Sequence, residues 1–213
     1  MADDYLGKKM EEYRQRTAAG AMRKPQPTLG ALLLKNRSHR AYDPNYAVRE
    51  DQLRRIIGVC TRIPSARNAQ VLRFRPVLAD EADKVQPHIR LGGALPELHL
   101  PTPGTEPRAF IVVCATVPED RYVSIDLGIA AQSMLLQATE IGLNGICIGA
   151  FDRDSVRHAL RLELEPLLII AIGRGGDTIR LVEVAAGEKL AYYREDGTHY
   201  VPKIRLNDLL LEP

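Results

Sequence analysis

The run Ala109-Phe110-Ile111-Val112-Val113-Cys114-Ala115 limits what this chain can become more than any other stretch. Seven residues without polar alternation cannot form a strand with one wet face, so the run predicts a central strand covered on both sides. The strongest helical pattern follows it directly. Between residues 122 and 142, Leu127, Ala130, Ala131, Met134, Leu135, Ala138 and Ile141 share a broad apolar face, and Gly142-Leu143-Asn144-Gly145 closes the segment with a residue able to take positive φ. Leu53, Ile56, Ile57 and Cys60 fall at i, i+3, i+4 and i+7 and mark a second core-facing helix over 50–62, ended by Pro64. Residues 73–79 read as a strand that Pro76 demotes to an edge. The four prolines and three glycines of 92–108 predict an ordered loop. Residues 146–148 read as a short strand, and Asp152 can cap a helix running to Leu160. The apolar runs 167–172 and 179–184 are expected to pair as strands across a hairpin turn at Gly173-Arg174-Gly175-Gly176-Asp177-Thr178.

The ends of the chain are amphipathic. Tyr5, Leu6, Met10 and Tyr13 recur at helical spacing within a charged stretch, which predicts an N-terminal helical arm over 1–27 that lies on another surface, such as a second subunit. Residues 28–213 are then one domain. Thr28 can cap a helix whose Leu29, Leu32 and Leu33 form a buried stripe, and Leu206, Leu209, Leu210 and Leu211 make a sticky terminus expected to dock on the body.

Charge is small in sum but unevenly placed. Residues 1–75 hold 16 Lys/Arg against 7 Asp/Glu, or +9, while 76–213 hold 13 against 20, or −7, giving the net +2. That asymmetry points to an anionic partner near the N-terminal part, of which a phosphate-bearing cofactor is the mildest form. Nucleic acid fits less well, because the basic residues are not interleaved with aromatics. Cys60, Cys114 and Cys147 lie far apart among apolar neighbours and form no CxxC, so buried free thiols and a reducing, cytoplasmic setting are expected. No apolar run is long enough to span a bilayer, and no N-terminal signal pattern is present. The five histidines show no metal-ligand spacing and read as surface or loop residues, so no metal is expected.

The segment Asn36-Arg37-Ser38-His39-Arg40-Ala41-Tyr42-Asp43 places two guanidinium groups and a hydroxyl within four residues, which suits one wall of a phosphate site. Alone, such a loop could equally be a solvated surface. Two later stretches support the site: Pro64-Ser65-Ala66-Arg67-Asn68-Ala69-Gln70 and Pro202-Lys203-Ile204-Arg205. Residues 37–40 and 203–205 meet on one anion only if the tail folds back over the loop. Arg40 could stabilise negative charge on a bound cofactor or simply pair with Asp43; Asn68 could meet a ring amide edge or close its own loop.

These runs, together with Asp126-x-Gly128-x-x-Ala131-Gln132, Ile141-Gly142-Leu143-Asn144-Gly145 and Ile148-Gly149-Ala150-Phe151, resemble the FMN-dependent nitroreductase family, in its order, from about Leu29 to Leu206. The resemblance implies an α+β fold, with a mixed, mainly antiparallel sheet flanked by helices, in an intertwined homodimer with FMN at the subunit interface. It implies that Arg37, Ser38, Lys203 and Arg205 hold the phosphate and that Arg40 approaches the flavin ring or ribityl chain. Pro64, Ser65, Asn68 and Gln70 would contact the flavin from the partner subunit, and Gly149 and Ala150 would lie along the ring. Two positions depart from the family pattern: Asn36 stands where a further basic residue is common, and Val71-Leu72 where a Pro-Trp pair is common. The activity implied is reduction of a nitroaromatic, quinone or similar acceptor by NADH or NADPH in a ping-pong cycle. No catalytic side chain is demanded, because the flavin carries the redox chemistry. A flavin-dependent dehalogenase, oxidase or dehydrogenase and a non-catalytic FMN-binding protein are the alternatives.

Overall fold

In the computed structural model, which describes residues 7–10, 26–93 and 95–211, the apolar run forms strand β2 (Ala109–Ala115), buried along its whole length. It lies inside a four-stranded antiparallel sheet of order β1-β2-β4-β3, with β1 at Leu72–Val77, β3 at Asn144–Ile148 and β4 at Pro166–Gly173. Period-two alternation sends Ala109, Ile111 and Val113 to one core and Phe110, Val112 and Cys114 to the other. The first core is closed by helix α2 (Glu50–Gly58), through Leu53 and Ile56, and by the long helix α3 (Arg121–Glu140), through Ala130, Met134 and Ala138. The second is closed by Ala82 and Val85 and by helix α4 (Arg153–Ala159). Each fully enclosed Ile, Val or Phe contributes about 1.5–3 kcal/mol, so this sheet, covered twice, is the platform for everything else.

Local signals explain most boundaries. Asp120 accepts from Val123 N at 2.8 Å to start α3, Gly142 leaves it at φ +80°, and Asp152 caps α4 through Ser155 N at 3.0 Å. Pro76 sits on the edge strand β1 opposite Ile111, where a missing N–H is tolerated. The described residues of 92–108 form a loop with one short 3-10 turn at Pro96–Leu98.

The expected hairpin between 167–172 and 179–184 does not form. Strand β5 (Thr178–Val184) leaves the main sheet and pairs parallel with β7 (Thr198–Ile204), which pairs antiparallel with β6 (Tyr193–Glu195). The glycine-rich connection is tied to the 38–43 loop instead: Tyr42 bridges Gly175, and Gly176 N donates to Ala41 O at 2.9 Å. A Cβ on Gly173 would meet the Tyr42 ring at 2.6 Å and one on Gly175 the His39 ring at 2.3 Å, so these glycines serve close approach rather than a turn. With both sheets, the fold is α+β, mainly antiparallel with one parallel pair.

Several burial expectations are corrected. Thr28 caps helix α1 (Leu29–Lys35), accepting from Ala31 N at 3.2 Å, but Leu29, Leu33 and Leu34 are exposed. Helix α5 (Leu206–Leu209) is tied to the body through Asp208, which accepts from Ala186 N at 2.7 Å, but its leucines and those after it stay exposed, Leu211 at 97%. Cys114 is buried and Cys60 partly so, while Cys147 is exposed. His39 and His199 are buried, not surface, histidines. Most of the N-terminal arm lies outside the described residues. Among those described, no helix is long and apolar enough to cross a membrane, and no group of three His, Cys, Asp or Glu could hold a metal ion.

Candidate functional site

The loop after α1 is fastened by a buried carboxylate. Asp177 Oδ2 accepts from Arg40 N at 2.6 Å and Ala41 N at 3.0 Å, and its Oδ1 accepts from Arg194 Nη2 at 2.5 Å. Burial alone would raise this carboxyl, but the two backbone donors and the Arg194 guanidinium outweigh it and hold the group below the usual carboxylate range. Asp177 N donates to His39 Nδ1 at 3.3 Å, so the neutral His39 carries its proton on Nε2. Burial first, and then Arg37 and Arg40 against the pull of Asp177, keep His39 below the ordinary histidine range. Ser38 bridges Gly145 at the start of β3, and Asn144 links both sides, donating to Lys35 O at 3.4 Å and accepting from Gly175 N at 3.2 Å.

With its backbone fixed this way, Arg40 sends its guanidinium to the opposite side. Nη2 reaches Tyr192 Oη at 3.3 Å, Nη1 reaches Ser38 O at 3.2 Å, and Cζ lies 4.9 Å from the Tyr192 ring centroid. It does not pair with Asp43, whose carboxylate faces Arg174 at 3.6 Å. Arg37 donates to Leu33 O, and burial lowers its pKa.

Arg37, Ser38 and Arg40 line a cavity of about 290 Å³, closed on the far side by Tyr192, His199 and Lys203 and on the α3 side by Gln132 and Leu135. Among the described residues, no carboxylate lines it. Among the described residues, Arg37 Nε, Arg40 Nε and His199 Nδ1 are buried without hydrogen-bond partners, as is Arg194 Nε behind Asp177. Partly buried cations gathered without a counter-charge repel one another and leave donors unsatisfied, so the arrangement fits a bound multivalent anion such as a phosphate.

The other sequence-predicted residues lie elsewhere on the chain. Pro64, Ser65 and Gln70 line a second cleft of about 360 Å³ against Asp126 and Phe74. Its rim is strained: Arg67, Asn68 and Gln70 take φ of 53°, 54° and 49°, a left-handed region that disfavours side chains. Asp126 Oδ1 anchors that rim by accepting from Ala66 N at 2.8 Å, and Asn68 Oδ1 accepts from Gln70 Nε2 at 3.0 Å, the loop-closing arrangement. Gly149 and Ala150 line a third cleft of about 440 Å³ with Arg90, whose N–H donates to Ala150 O at 2.8 Å. Arg205 enters none of the three; its Nε is turned to Asp208 Oδ2 at 2.8 Å. The tail therefore folds back over the loop through Lys203 but not through Arg205.

Four participants were not foreseen. Asp177 stood in a glycine-rich segment that reads as a turn, and Tyr192, Arg194 and His199 stood in a tail without periodicity. The dense run of charge and ring residues over 192–203 was the available signal.

Comparison with known proteins bears on this arrangement. Residues 102–174 match the model described as the Nitroreductase family. Over 54 residues the chain is 39% identical to a Methanocaldococcus jannaschii protein named “Putative nitroreductase”, a match covering 25% of this chain and 27% of that protein. A nitroreductase family protein from Streptococcus pneumoniae TIGR4 overlays with a TM-score of 0.60 at 16% identity, covering 72% of this chain and 93% of that one. A variant of the FMN and NADPH-dependent nitroreductase NfnB from Sphigopyxis sp. strain HMH overlays with a TM-score of 0.60 at 18% identity, covering 70% and 89%. At these identities the overlays establish the fold.

Proposed function

Because this chain has a nitroreductase-like fold and matches the nitroreductase family model over 102–174, we propose that it is an FMN-dependent oxidoreductase that takes reducing equivalents from NADH or NADPH and works as a homodimer. The observation that carries this reading is the carboxylate-free cavity with unpartnered nitrogens of Arg37, Arg40 and His199. Arg37, Ser38, Arg40 and Lys203 would hold the FMN phosphate there, with charge-assisted bonds supplying affinity and orientation. Bound flavin would supply hydride and electron transfer between the nicotinamide and an acceptor such as a nitroaromatic or quinone, the two substrates using the site in turn. Arg40, braced by Tyr192, adds a fixed positive field to the cavity, which favours gain of negative charge nearby. The cleft at Pro64, Ser65 and Gln70 and the cleft at Gly149 and Ala150 share no lining residue with the cavity. Their separation supports a ring site completed between two protomers, with the 64–70 segment contributed by the partner. Its strained, Asp126-anchored backbone suits a rigid contact surface.

The test is direct. Purified protein should carry the visible absorption of oxidised flavin, and NADH or NADPH added without oxygen should bleach it. Protein that binds no flavin sinks the reading; bound flavin that stays oxidised leaves a flavin-binding protein without turnover.

A further inference from the structure

The small sheet gives the anion cavity one side chain of unusual standing. His199, on β7, is 2% exposed and lines the cavity, yet its Nδ1 is buried without a hydrogen-bond partner among the described residues. His39, the other buried histidine, has its Nδ1 satisfied by Asp177 N–H. The His199 ring is held in place by Tyr192, with centroids 5.0 Å apart and planes at 55°. The groups facing it come from every neighbouring element. Arg194 is its register partner on β6 and the apolar Ile179 its partner on β5; Arg40 approaches from the loop after α1; Asp177 precedes β5; and Lys203 follows on its own strand. The one carboxylate among them is already engaged by Arg194 and two backbone N–H groups. His199 thus faces a cationic surround with a free donor-acceptor edge.

We propose that His199 takes up a proton from solvent when a phosphomonoester dianion enters this cavity and donates the resulting N–H to it, so that anion binding here is coupled to protonation. The proposal rests on reading the cavity as the seat of the FMN phosphate. Burial first, then the Arg40 and Arg194 guanidinium groups, hold the imidazole below the ordinary histidine range in the ligand-free protein, so it waits neutral. An entering dianion reverses the sign of the local field and raises it. Between the two values, affinity falls about tenfold for each unit rise in pH.

The experiment is calorimetric titration of the full-length, flavin-stripped protein at about pH 7.5, above the second phosphate ionisation near 6, in two buffers of different ionisation enthalpy. FMN, riboflavin and inorganic phosphate are the titrants. FMN is expected to draw a proton from the buffer and riboflavin, which lacks the phosphate, is not; His199→Gln is expected to bind FMN more weakly and without uptake. No uptake by the wild type, equal uptake with riboflavin, or uptake preserved in His199→Gln overturns the proposal. If His199→Gln does not fold, the wild-type contrast of FMN with riboflavin decides. Failure of both flavins to bind overturns the cofactor reading separately, and inorganic phosphate then decides the proton coupling by the same criteria.

Discussion

Asp177 shows how one side chain can organise a cavity without lining it. Its carboxylate joins the loop after α1 to Arg194 on β6 and is 4% exposed. Asp177→Asn would leave Arg194 without its partner and weaken the acceptor for the Arg40 and Ala41 N–H groups. A fully enclosed pair broken on one side costs about 3–5 kcal/mol; Arg194 is 24% exposed, so a loss of roughly 2–3 kcal/mol is expected in chemical denaturation, together with weaker flavin retention. An unchanged denaturation midpoint would remove Asp177 from this role. Arg37→Ala and Arg40→Ala should each weaken FMN binding by about 1.5–3 kcal/mol, roughly tenfold to 150-fold, read by flavin fluorescence. Arg205→Ala should bind FMN like the wild type, because its guanidinium is committed to Asp208. The contrast marks what a linear reading can see. Arg37, Ser38, Arg40 and Lys203 were legible as donors of the right kind near one another or near a terminus. Asp177, Tyr192 and His199 were not, because an Asp after glycines has the local chemistry of a turn whichever distant backbone it later binds.

Among the elements, β2 was readable because seven apolar residues admit one environment, and α3 because its apolar face and both ends carry separate signals. The segments that become β4 and β5 read as a hairpin for an equally physical reason. Two apolar runs across a glycine-rich connection satisfy the hairpin pattern, and the deciding contacts, Tyr42 against Gly173 and His39 against Gly175, come from residues far away in the chain. Gly175→Ala should therefore destabilise the protein by about 1–3 kcal/mol, as overpacking does, because its Cβ would sit 2.3–2.5 Å from three atoms of an enclosed imidazole. Gly58→Ala, with nothing within 4 Å of its Cβ, is the control: it should be neutral or stabilise by up to about 1 kcal/mol. Equal midpoints for the two variants in thermal melts would contradict the close-approach argument. The apolar stripe of α1 is legible as a stripe, but Leu29, Leu33 and Leu34 stay exposed, since helical spacing says which face is apolar and not what covers it.

For the molecule as a whole, the buried histidines tie stability to pH. His39 and His199 are both held below the ordinary histidine range, chiefly by burial, so the folded chain binds fewer protons than the unfolded one beneath about pH 6.5. Their contribution is fully present above that value and shrinks as pH falls toward their folded-state values; Asp177 adds a further loss only below the unfolded carboxylate value near 3.9. Urea midpoints should accordingly drop between about pH 7.5 and 5, and a flat profile there would count against neutral buried imidazoles. Under the homodimer reading, the exposed leucines of α1 and of the segment around α5 are the surface to disrupt. Leu34→Glu combined with Leu210→Glu should shift the protein toward monomer in sedimentation and release flavin with it, whereas a dimer unaffected by both changes would place the interface elsewhere. The pairing of Arg40 with Tyr192, 152 residues later, also sets an order of events during synthesis. A ribosome-tethered chain that has displayed its first arginines still lacks the opposite wall, so under the flavin reading cofactor loading would wait until β6 and β7 have emerged, and a stalled translation product that ends before them would leave the tunnel colourless.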